Sequence, residues 1–162
     1  MSIKILPSRE EEKKYLIEWL NDPEILRWFP MCNSREIEDA ANIWMSYIKQ
    51  NAVITAYYDD VPCGVANLYL QPFPKLRHQC LFAIVVRKDY RGKGVGTALI
   101  QELQKKGKDE HGIEMLHLEV YEGNPARRLY ERLGFIQYAV HKNFLKNPDG
   151  TYANKVMMYQ YL

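Results

Sequence analysis

The stretch RGKGVG, from Arg91 to Gly96, places three glycines at alternate positions directly ahead of a helix-like pattern. The apolar run CLFAIVV, which is typical of a buried strand, precedes it. At the start of a helix the first backbone N–H groups lack intrahelical partners, and the helix dipole adds partial positive charge. Glycines at this point let an anion approach the backbone, so the stretch is a candidate phosphate site.

The spacing of the glycines excludes two common phosphate-binding motifs. G-K-G-V-G does not match the dinucleotide pattern G-x-G-x-x-G, and no second βαβ half follows it. No Lys–Ser or Lys–Thr pair follows the glycines, so the stretch is not a P-loop either. The alternative is that the glycines only form a tight turn between a strand and a helix.

A second motif lies downstream, in LHLEVYEGNPARRLYERLGF. RGKGVG matches the signature Q/R-x-x-G-x-G/A, and the two motifs in this order resemble the GCN5-related N-acetyltransferase (GNAT) superfamily. The resemblance covers Leu81 to Phe135. It implies an acyltransferase that binds acetyl-CoA as its cosubstrate and moves the acetyl group directly to a primary amine.

The resemblance also implies where coenzyme A is held. In this family the loop amides hold the pyrophosphate, which assigns that role to Arg91, Gly92, Lys93, Gly94, Val95 and Gly96, with Thr97 in the first helical turn. The side chains of Arg91 and Lys93 either add charge at the phosphates or are simply solvated. The pantetheine arm is expected to bond the main chain of Ile84, Val85 and Val86, whose side chains are expected in the core.

Two residues of the second motif receive roles from the resemblance. Asn124 matches the asparagine that contacts the pantetheine arm, although its interval to Tyr130 is one position shorter than in many members. The alternative for Asn124 is a plain helix cap. Tyr130 matches the tyrosine near the thioester sulfur and is the candidate general acid for the departing thiolate. Its alternative is simple core packing.

The reaction needs a general base, because a primary alkylamine with a pKa of about 10.4 must lose a proton before it attacks. Two residues are candidates for this role. Glu119 is the first, since peptide N-terminal acetyltransferases that resemble this chain carry Glu at that position. His78 is the second, at the offset of the catalytic glutamate of histone-type members. A water held by either residue, or a merely surface-exposed role for both, stays open. No metal and no covalent acyl-enzyme are expected.

The acceptor pocket, by the same resemblance, is formed by the helices after the first strand and by the closing hairpin. In DPEILRWFP we therefore note Trp28 and Phe29, with Tyr15 nearby, as large apolar groups and Glu24 as a group that could attract an amine. The alternative is that these aromatics pack a loop onto the sheet. A small-molecule amine, a polyamine and a peptide or protein N-terminus all stay open as acceptors.

Composition limits the other function classes. The chain has 162 residues, a net charge of +2 and 26% charged residues, which predicts one globular domain over residues 1–162 and gives no support for a nucleic-acid partner. No run approaches the length of a membrane span, and no signal peptide is apparent, so a cytoplasmic protein without a membrane partner is expected. Three cysteines without metal spacing are expected to be reduced. A monomer and a homodimer both stay open.

The element order that must position these residues reads β-α-α-β-β-β-α-β-α-β-β. This order predicts an α/β (α+β) fold of GNAT type, with a mixed sheet of about seven strands and about four helices on both faces. Ser8 with Glu11 is expected to cap the first helix and Ser34 the second. DDVPCG is expected as a turn, NDPEILRWFP as an interruption, and Gly134 as the end of the last helix.

The leading hypothesis is therefore an acetyl-CoA-dependent N-acetyltransferase. The alternatives are a catalytically idle coenzyme A-binding module that acts as a sensor or partner protein, and a nucleic-acid-binding module that uses the basic loop.

Overall fold

A computed structural model describes residues 1–162 and contains one seven-stranded mixed sheet, in the order β1-β2-β3-β4-β5-β7-β6. The strands are β1 (Ile3–Pro7), β2 (Val53–Tyr58), β3 (Val61–Tyr69), β4 (Gln79–Val86), β5 (Met115–Tyr121), β6 (Ile136–Lys146) and β7 (Tyr152–Tyr161). The helices are α1 (Lys13–Leu20), α2 (Pro23–Leu26), α3 (Ser34–Ser46), α4 (Val95–His111) and α5 (Ala126–Arg132). None of the helices is both long enough and apolar enough to cross a membrane.

Helices cover both faces of the sheet, as the sequence predicts. Strand β4 shows this arrangement clearly. Its side chains point alternately to the two faces of the sheet, and each face has its own hydrophobic core. Cys80 and Phe82 pack with α4 and α5, whereas Val85 packs with α1 and α3. The prediction of a strand covered on both faces is confirmed.

Strands β4 and β5 are the only parallel pair, and their pairing is short. It runs from Gln79 with Met115 to Leu81 with His117 and then stops. Beyond this point β4 continues to pair with β3, and β5 continues to pair with β7. The sheet therefore opens between β4 and β5 toward their carboxyl ends, and the edges that face the opening have no strand partner.

The caps of the first two long helices differ from the prediction by one residue. The Ser8 hydroxyl bonds the Thr55 hydroxyl at 2.6 Å, and the Arg9 backbone N–H donates to Glu12 Oε1 at 2.7 Å instead. Asn33 rather than Ser34 caps α3, because its Oδ1 accepts from the backbone N–H of Glu36 at 2.9 Å. Asn and Ser are equally good caps, so adjacent candidates cannot be ranked by residue type.

Two further details differ from the prediction. The interruption after α1 contains the short helix α2, which Asp22 caps and in which Pro23 occupies the first turn, where proline is tolerated. The first hairpin turns within Asp59 and Asp60 alone, both at positive φ (47° and 67°), so the rest of the predicted turn belongs to β3. The predicted ends of the last two helices, at His111 and before Gly134, are confirmed.

Candidate active site

The glycine turn begins α4 with backbone that other residues rarely adopt. Gly92 has φ +72° and Gly94, the N-cap of α4, has φ +84°. Helix α4 has 17 residues, and its first amides point back toward the turn. Nothing lies within 4 Å of the point where a Cβ at Gly92 would be, so the turn is open to solvent on that side.

Gly96 is explained by packing instead. A Cβ at Gly96 would lie 2.9 Å from Leu129 Cδ2 on α5, closer than carbon atoms normally approach. Val95 beside it is buried in the core. The first two glycines therefore shape the turn, and the third lets α4 and α5 approach each other closely.

Most of the cations near the turn already have partners. Lys88 bonds Glu24 at 2.9 Å, Arg87 bonds Asp89 at 2.9 Å, and the Lys93 ammonium lies 4.8 Å from the centre of the Tyr90 ring. Arg91 makes no ion pair and lines the central cavity described next. Of the two basic side chains expected at the phosphates, Arg91 is thus the better placed.

A cavity of about 790 Å³ occupies the opening between β4 and β5. On the side of α4 and α5 it is lined by Phe82, Ile84, Val86, Gly96, Leu129 and Tyr130. On the side of α1 and α3 it is lined by Phe29, Met31, Ile43, Trp44, Ala83 and Val85. The cavity passes through the sheet, so two molecules could enter from opposite faces and meet between the strands.

The main chain of β4 offers free hydrogen-bonding groups to this cavity. Pairing with β3 satisfies one edge of β4 as far as Val86, but the edge toward β5 has no partner after Leu81. Alternate N–H and C=O groups of Ile84, Val85 and Val86 must therefore find partners in water or in a bound molecule. A ligand with its own amides could bond this edge as a further strand does.

Tyr130 projects from α5 into the cavity between two other aromatic rings. It makes edge-on contacts with Phe82 and Phe135 at centroid distances of 6.1 and 6.2 Å, and 8% of its surface is exposed. Burial raises the pKa of Tyr130 to about 12. The hydroxyl therefore keeps its proton at neutral pH, so that it is available as a donor.

Asn124 also lines the cavity, at the start of α5. Its Oδ1 accepts from the backbone N–H of Ala126 at 2.9 Å, so the side chain acts as a helix cap. A role in binding stays a prediction and would use the amide nitrogen of Asn124.

Glu119 projects from β5 into the cavity and is paired with Lys155 of β7. The Lys155 ammonium lies 3.0 Å from Glu119 Oε2 and 3.6 Å from the centre of the Phe144 ring. The Lys155 side chain is 9% exposed and that of Glu119 is 41% exposed. Glu119 is the only acidic residue that lines the cavity.

The structure does not bring His78 into the cavity. His78 is exposed just ahead of β4, at the end opposite the glycine turn, and its carbonyl accepts from the backbone N–H of Glu114 at 2.7 Å. Lys93, Gly94, Val95 and Thr97 also lie outside the cavity lining. Glu119 is therefore the better placed of the two candidate bases.

Of the residues expected at the acceptor pocket, two line the cavity and two do not. Trp28 and Phe29 line the cavity, and Trp28 extends to within 3.8 Å of the point where a Cβ of Gly123 would be. Tyr15 instead stacks on Trp19, at 6.0 Å between centroids. Glu24 forms an ion pair with Lys88, so its carboxylate already has a cationic partner in place of the expected amine.

Sequence reasoning missed several lining residues, among them Tyr121, Phe144 and Lys155. Lys155 carried a usable signal, because it is the only charged residue in β7. Tyr121 lies on the same face of β5 as Glu119, two positions away, which alternation alone indicates.

The comparisons with known proteins place the chain in a family. Residues 13–135 match the sequence model of the acetyltransferase (GNAT) family, so the chain belongs to this family. A ribosomal protein bS18-alanine N-acetyltransferase from Haemophilus influenzae is 42% identical over 82 residues, 51% of this chain. An N-alpha-acetyltransferase from Saccharolobus solfataricus is 30% identical over 106 residues, 65% of this chain. These matches cover 56% and 63% of the two proteins, so the chain spans little more than half the length of the curated relatives it matches.

Solved structures support the same fold. A ribosomal-protein-alanine N-acetyltransferase from Brucella melitensis aligns with a TM-score of 0.82 at 21% identity, over 98% of this chain and 99% of that one. A protein from Salmonella typhimurium, whose structure contains its cofactor acetyl-CoA, aligns with a TM-score of 0.83 at 18% identity, over 100% of this chain and 95% of that one. The predicted fold class is thus confirmed, with five helices rather than about four.

Proposed function

We propose that the chain transfers the acetyl group of acetyl-CoA to a primary amine, and that the amine is the N-terminus of a polypeptide. The observation that carries the proposal is the cavity through the sheet, which joins the glycine turn on one face to Glu119 on the other. This cavity gives a donor and an acceptor separate entrances and one meeting point.

The residues present fit coenzyme A. The amides of the glycine turn and the start of α4 suit a pyrophosphate, and Arg91 can add a charged hydrogen bond to it. The unpartnered edge of β4 suits the two amides of a pantetheine arm. When bound, acetyl-CoA supplies the acetyl group as a thioester.

The chemistry of the chain's own residues follows from their protonation. Glu119, directly or through a water, accepts a proton from the incoming ammonium, so that the neutral amine can attack the thioester carbonyl carbon. Tyr130 holds its proton at neutral pH and donates it to the sulfur as the carbon–sulfur bond breaks. The attacking nitrogen loses its second proton as this bond breaks, and Tyr130 is reprotonated from solvent, so the products are an acetylated amine, free coenzyme A and one released proton.

Two observations favour a peptide N-terminus as the acceptor. The lining has one acidic residue, Glu119, and it is paired with Lys155, so the several positive charges of a polyamine would meet no matching carboxylates. An α-amine has a pKa of about 7.7–8.0 and is partly neutral at pH 7, unlike a lysine amine at about 10.4. An α-amine therefore demands less of a base that already has a partner. The relatives from Haemophilus influenzae and Saccharolobus solfataricus, a ribosomal protein bS18-alanine N-acetyltransferase and an N-alpha-acetyltransferase, favour the same acceptor class.

The test is an acetyl-CoA turnover assay that detects free thiol with a panel of peptide N-termini, polyamines and small amines. We expect peptide N-termini to be acetylated at the α-nitrogen, with mass spectrometry locating the group. Tight coenzyme A binding without turnover on any amine would contradict the proposal and would favour the idle coenzyme A-binding module. Salt-dependent nucleic-acid binding that coenzyme A does not reduce would favour the third hypothesis.

A further inference from the structure

A second groove, of about 380 Å³, lies on the face of the sheet that carries Glu119. We call it the tyrosine groove, and it is lined by Gln79, Met115, His117, Tyr138, Tyr159 and Tyr161. It sits over the amino-terminal ends of β4 and β5, where these two strands still pair. None of the proposed chemistry uses it.

The tyrosine groove adjoins the central cavity along β5. His117 lines the groove and Glu119 lines the cavity, two positions apart and on the same face of one strand. His117 also pairs with Leu81 of β4, which lines the cavity. Two positions of a strand span about 6.6 Å, the length of two residues of an extended peptide.

The chemistry of the tyrosine groove is aromatic and uncharged. Tyr159 makes edge-on contacts with Tyr138 at 5.6 Å and with Tyr161 at 5.5 Å. His117 donates from Nε2 to Gln79 Oε1, and burial lowers the pKa of His117, so the imidazole is neutral at pH 7. No lysine, arginine, aspartate or glutamate lines the groove.

We propose that the tyrosine groove binds the third residue of a polypeptide acceptor and prefers a large uncharged side chain there. This proposal rests on the proposed function. With the acceptor's α-nitrogen beside Glu119, two extended residues bring the following side chain over His117 and the tyrosines. The exposed fractions of Tyr138 (54%) and Tyr161 (72%) leave aromatic surface available to a side chain.

A peptide segment fits this groove better than a second copy of the chain does. A stable protein interface buries about 800 Å² on each partner, whereas this groove has six lining residues and the size of one or two side chains. The groove also adjoins the cavity, and an extended acceptor can enter both of them, whereas a folded surface cannot.

The experiment compares acceptors that differ only beyond the second residue. Alaninamide, a tetrapeptide amide Ala-Gly-Gly-Gly and a tetrapeptide amide Ala-Gly-Trp-Gly are acetylated by the intact chain, and kcat/KM is measured for each. We expect the tryptophan peptide to exceed the glycine peptide about tenfold, which corresponds to partial burial of one large apolar side chain. The ratio of the two peptides is taken within each variant.

Tyr138→Ala tests the groove, and Tyr152→Ala is its matched control. Tyr152 belongs to β7, is 56% exposed and lies outside both cavities. We expect Tyr138→Ala to reduce the tryptophan preference to about twofold or less, and Tyr152→Ala to preserve it. Acetyl-CoA affinity and circular dichroism establish that both variants are folded.

The outcomes separate the two proposals. Equal rates for the two tetrapeptides, or a preference that survives Tyr138→Ala, overturns the groove assignment and leaves the proposed function standing. Acetylation of no amine at all contradicts the proposed function and this subsite with it. A dimer in sedimentation that Tyr138→Ala converts to a monomer assigns the groove to a second copy and overturns the proposal.

Discussion

The Lys155 ammonium lies 3.0 Å from Glu119 Oε2, so the candidate base shares an ion pair with the neighbouring strand. The two residues are diagonal neighbours across β5 and β7, because Glu119 is paired in register with Met157. The Phe144 ring covers the ammonium from β6, which ties both strands of the closing hairpin to the base. We therefore expect Lys155 to position the Glu119 carboxylate.

A double-mutant cycle measures this relationship. Glu119→Gln, Lys155→Met and the double variant are compared by kcat/KM with a peptide acceptor and by urea unfolding. Glu119→Gln should lower kcat/KM by about 10²-fold, because a general base typically contributes 10²–10⁴-fold. We expect a coupling of about 0.5–1 kcal/mol in stability, the upper range for a partly exposed pair. Exchange of the acceptor for a lysine side chain should make the Glu119→Gln loss larger.

The control cycle uses Lys4 and Asp60, an ion pair of 2.9 Å whose side chains are 56% and 82% exposed. Lys4→Met and Asp60→Asn should show no measurable coupling and should leave turnover unchanged, since solvent screens this pair. Additive effects of the Glu119 and Lys155 substitutions on kcat/KM would contradict the positioning role.

Tyr130→Phe tests the general acid. We expect kcat to fall by roughly 10²-fold, the low end for acid catalysis, because a thiolate with a pKa near 8.5 is already a fair leaving group. The dissociation constant of acetyl-CoA should hardly change, because the ring and its contacts with Phe82 and Phe135 remain. Tyr121→Phe removes a second buried phenol from the same cavity and should alter KM more than kcat. An unchanged kcat for Tyr130→Phe would exclude the hydroxyl from the mechanism.

Much of the fold could be predicted from the sequence because its signals are local. Alternation in β5 and β7, helical spacing in α4 and the glycines at helix ends all depend on near neighbours in the chain. One cap was misplaced because a distant residue competes: Thr55 bonds Ser8, so the expected cap forms one residue later. The other was misplaced between two adjacent residues that cap equally well, Asn33 and Ser34. The candidate site shows the same difference between local signals and long-range contacts. Glu119 and Tyr130 could be found from motifs, but Lys155 and Phe144 join them only through the pairing of β7 with β5 and β6.

Gly94 tests the glycine turn with a pair of isosteric substitutions. Gly94→Asp adds a side chain and a negative charge where an anion is expected, and Gly94→Asn adds the same shape without the charge. Both must adopt φ +84°, which Asn and Asp tolerate better than most residues. We expect acetyl-CoA affinity to fall at least tenfold more in Gly94→Asp than in Gly94→Asn, measured by calorimetry in low salt.

Equal losses would show that backbone strain, rather than an anion, accounts for the effect. Gly96 is unsuitable, because any Cβ there meets Leu129.

The cysteines determine the background of any thiol assay. Burial raises the pKa of Cys63 to about 11 and that of Cys80 to about 12, and both side chains are 0% exposed. Cys32 is exposed, although its hydrogen bond to Glu36 raises its pKa as well.

Since the thiolate is the reactive form, we expect one thiol per native chain to react with a colorimetric disulfide reagent at pH 8, and three in urea. Cys32→Ser should react only after unfolding; a fast-reacting thiol in the native variant would contradict the burial of Cys63 and Cys80.

Tyr130 also predicts how stability depends on pH. Below pH 10 the phenol is protonated in both the folded and the unfolded chain, so it contributes no pH dependence. Between pH 10 and about 12 the unfolded chain loses this proton and the folded chain keeps it, because burial raises the pKa to about 12. The folded state then binds more protons than the unfolded state, and the free energy of unfolding falls as the pH rises. At pH 11 this one group should cost on the order of 1 kcal/mol relative to pH 8. Urea unfolding of the wild type and of Tyr130→Phe at both pH values isolates the contribution of this hydroxyl to the free energy of unfolding, because the buried cysteines and the other tyrosines are common to both chains. The variant should lose on the order of 1 kcal/mol less than the wild type; an equal loss would mean that the hydroxyl is solvated and free to ionise in the folded protein.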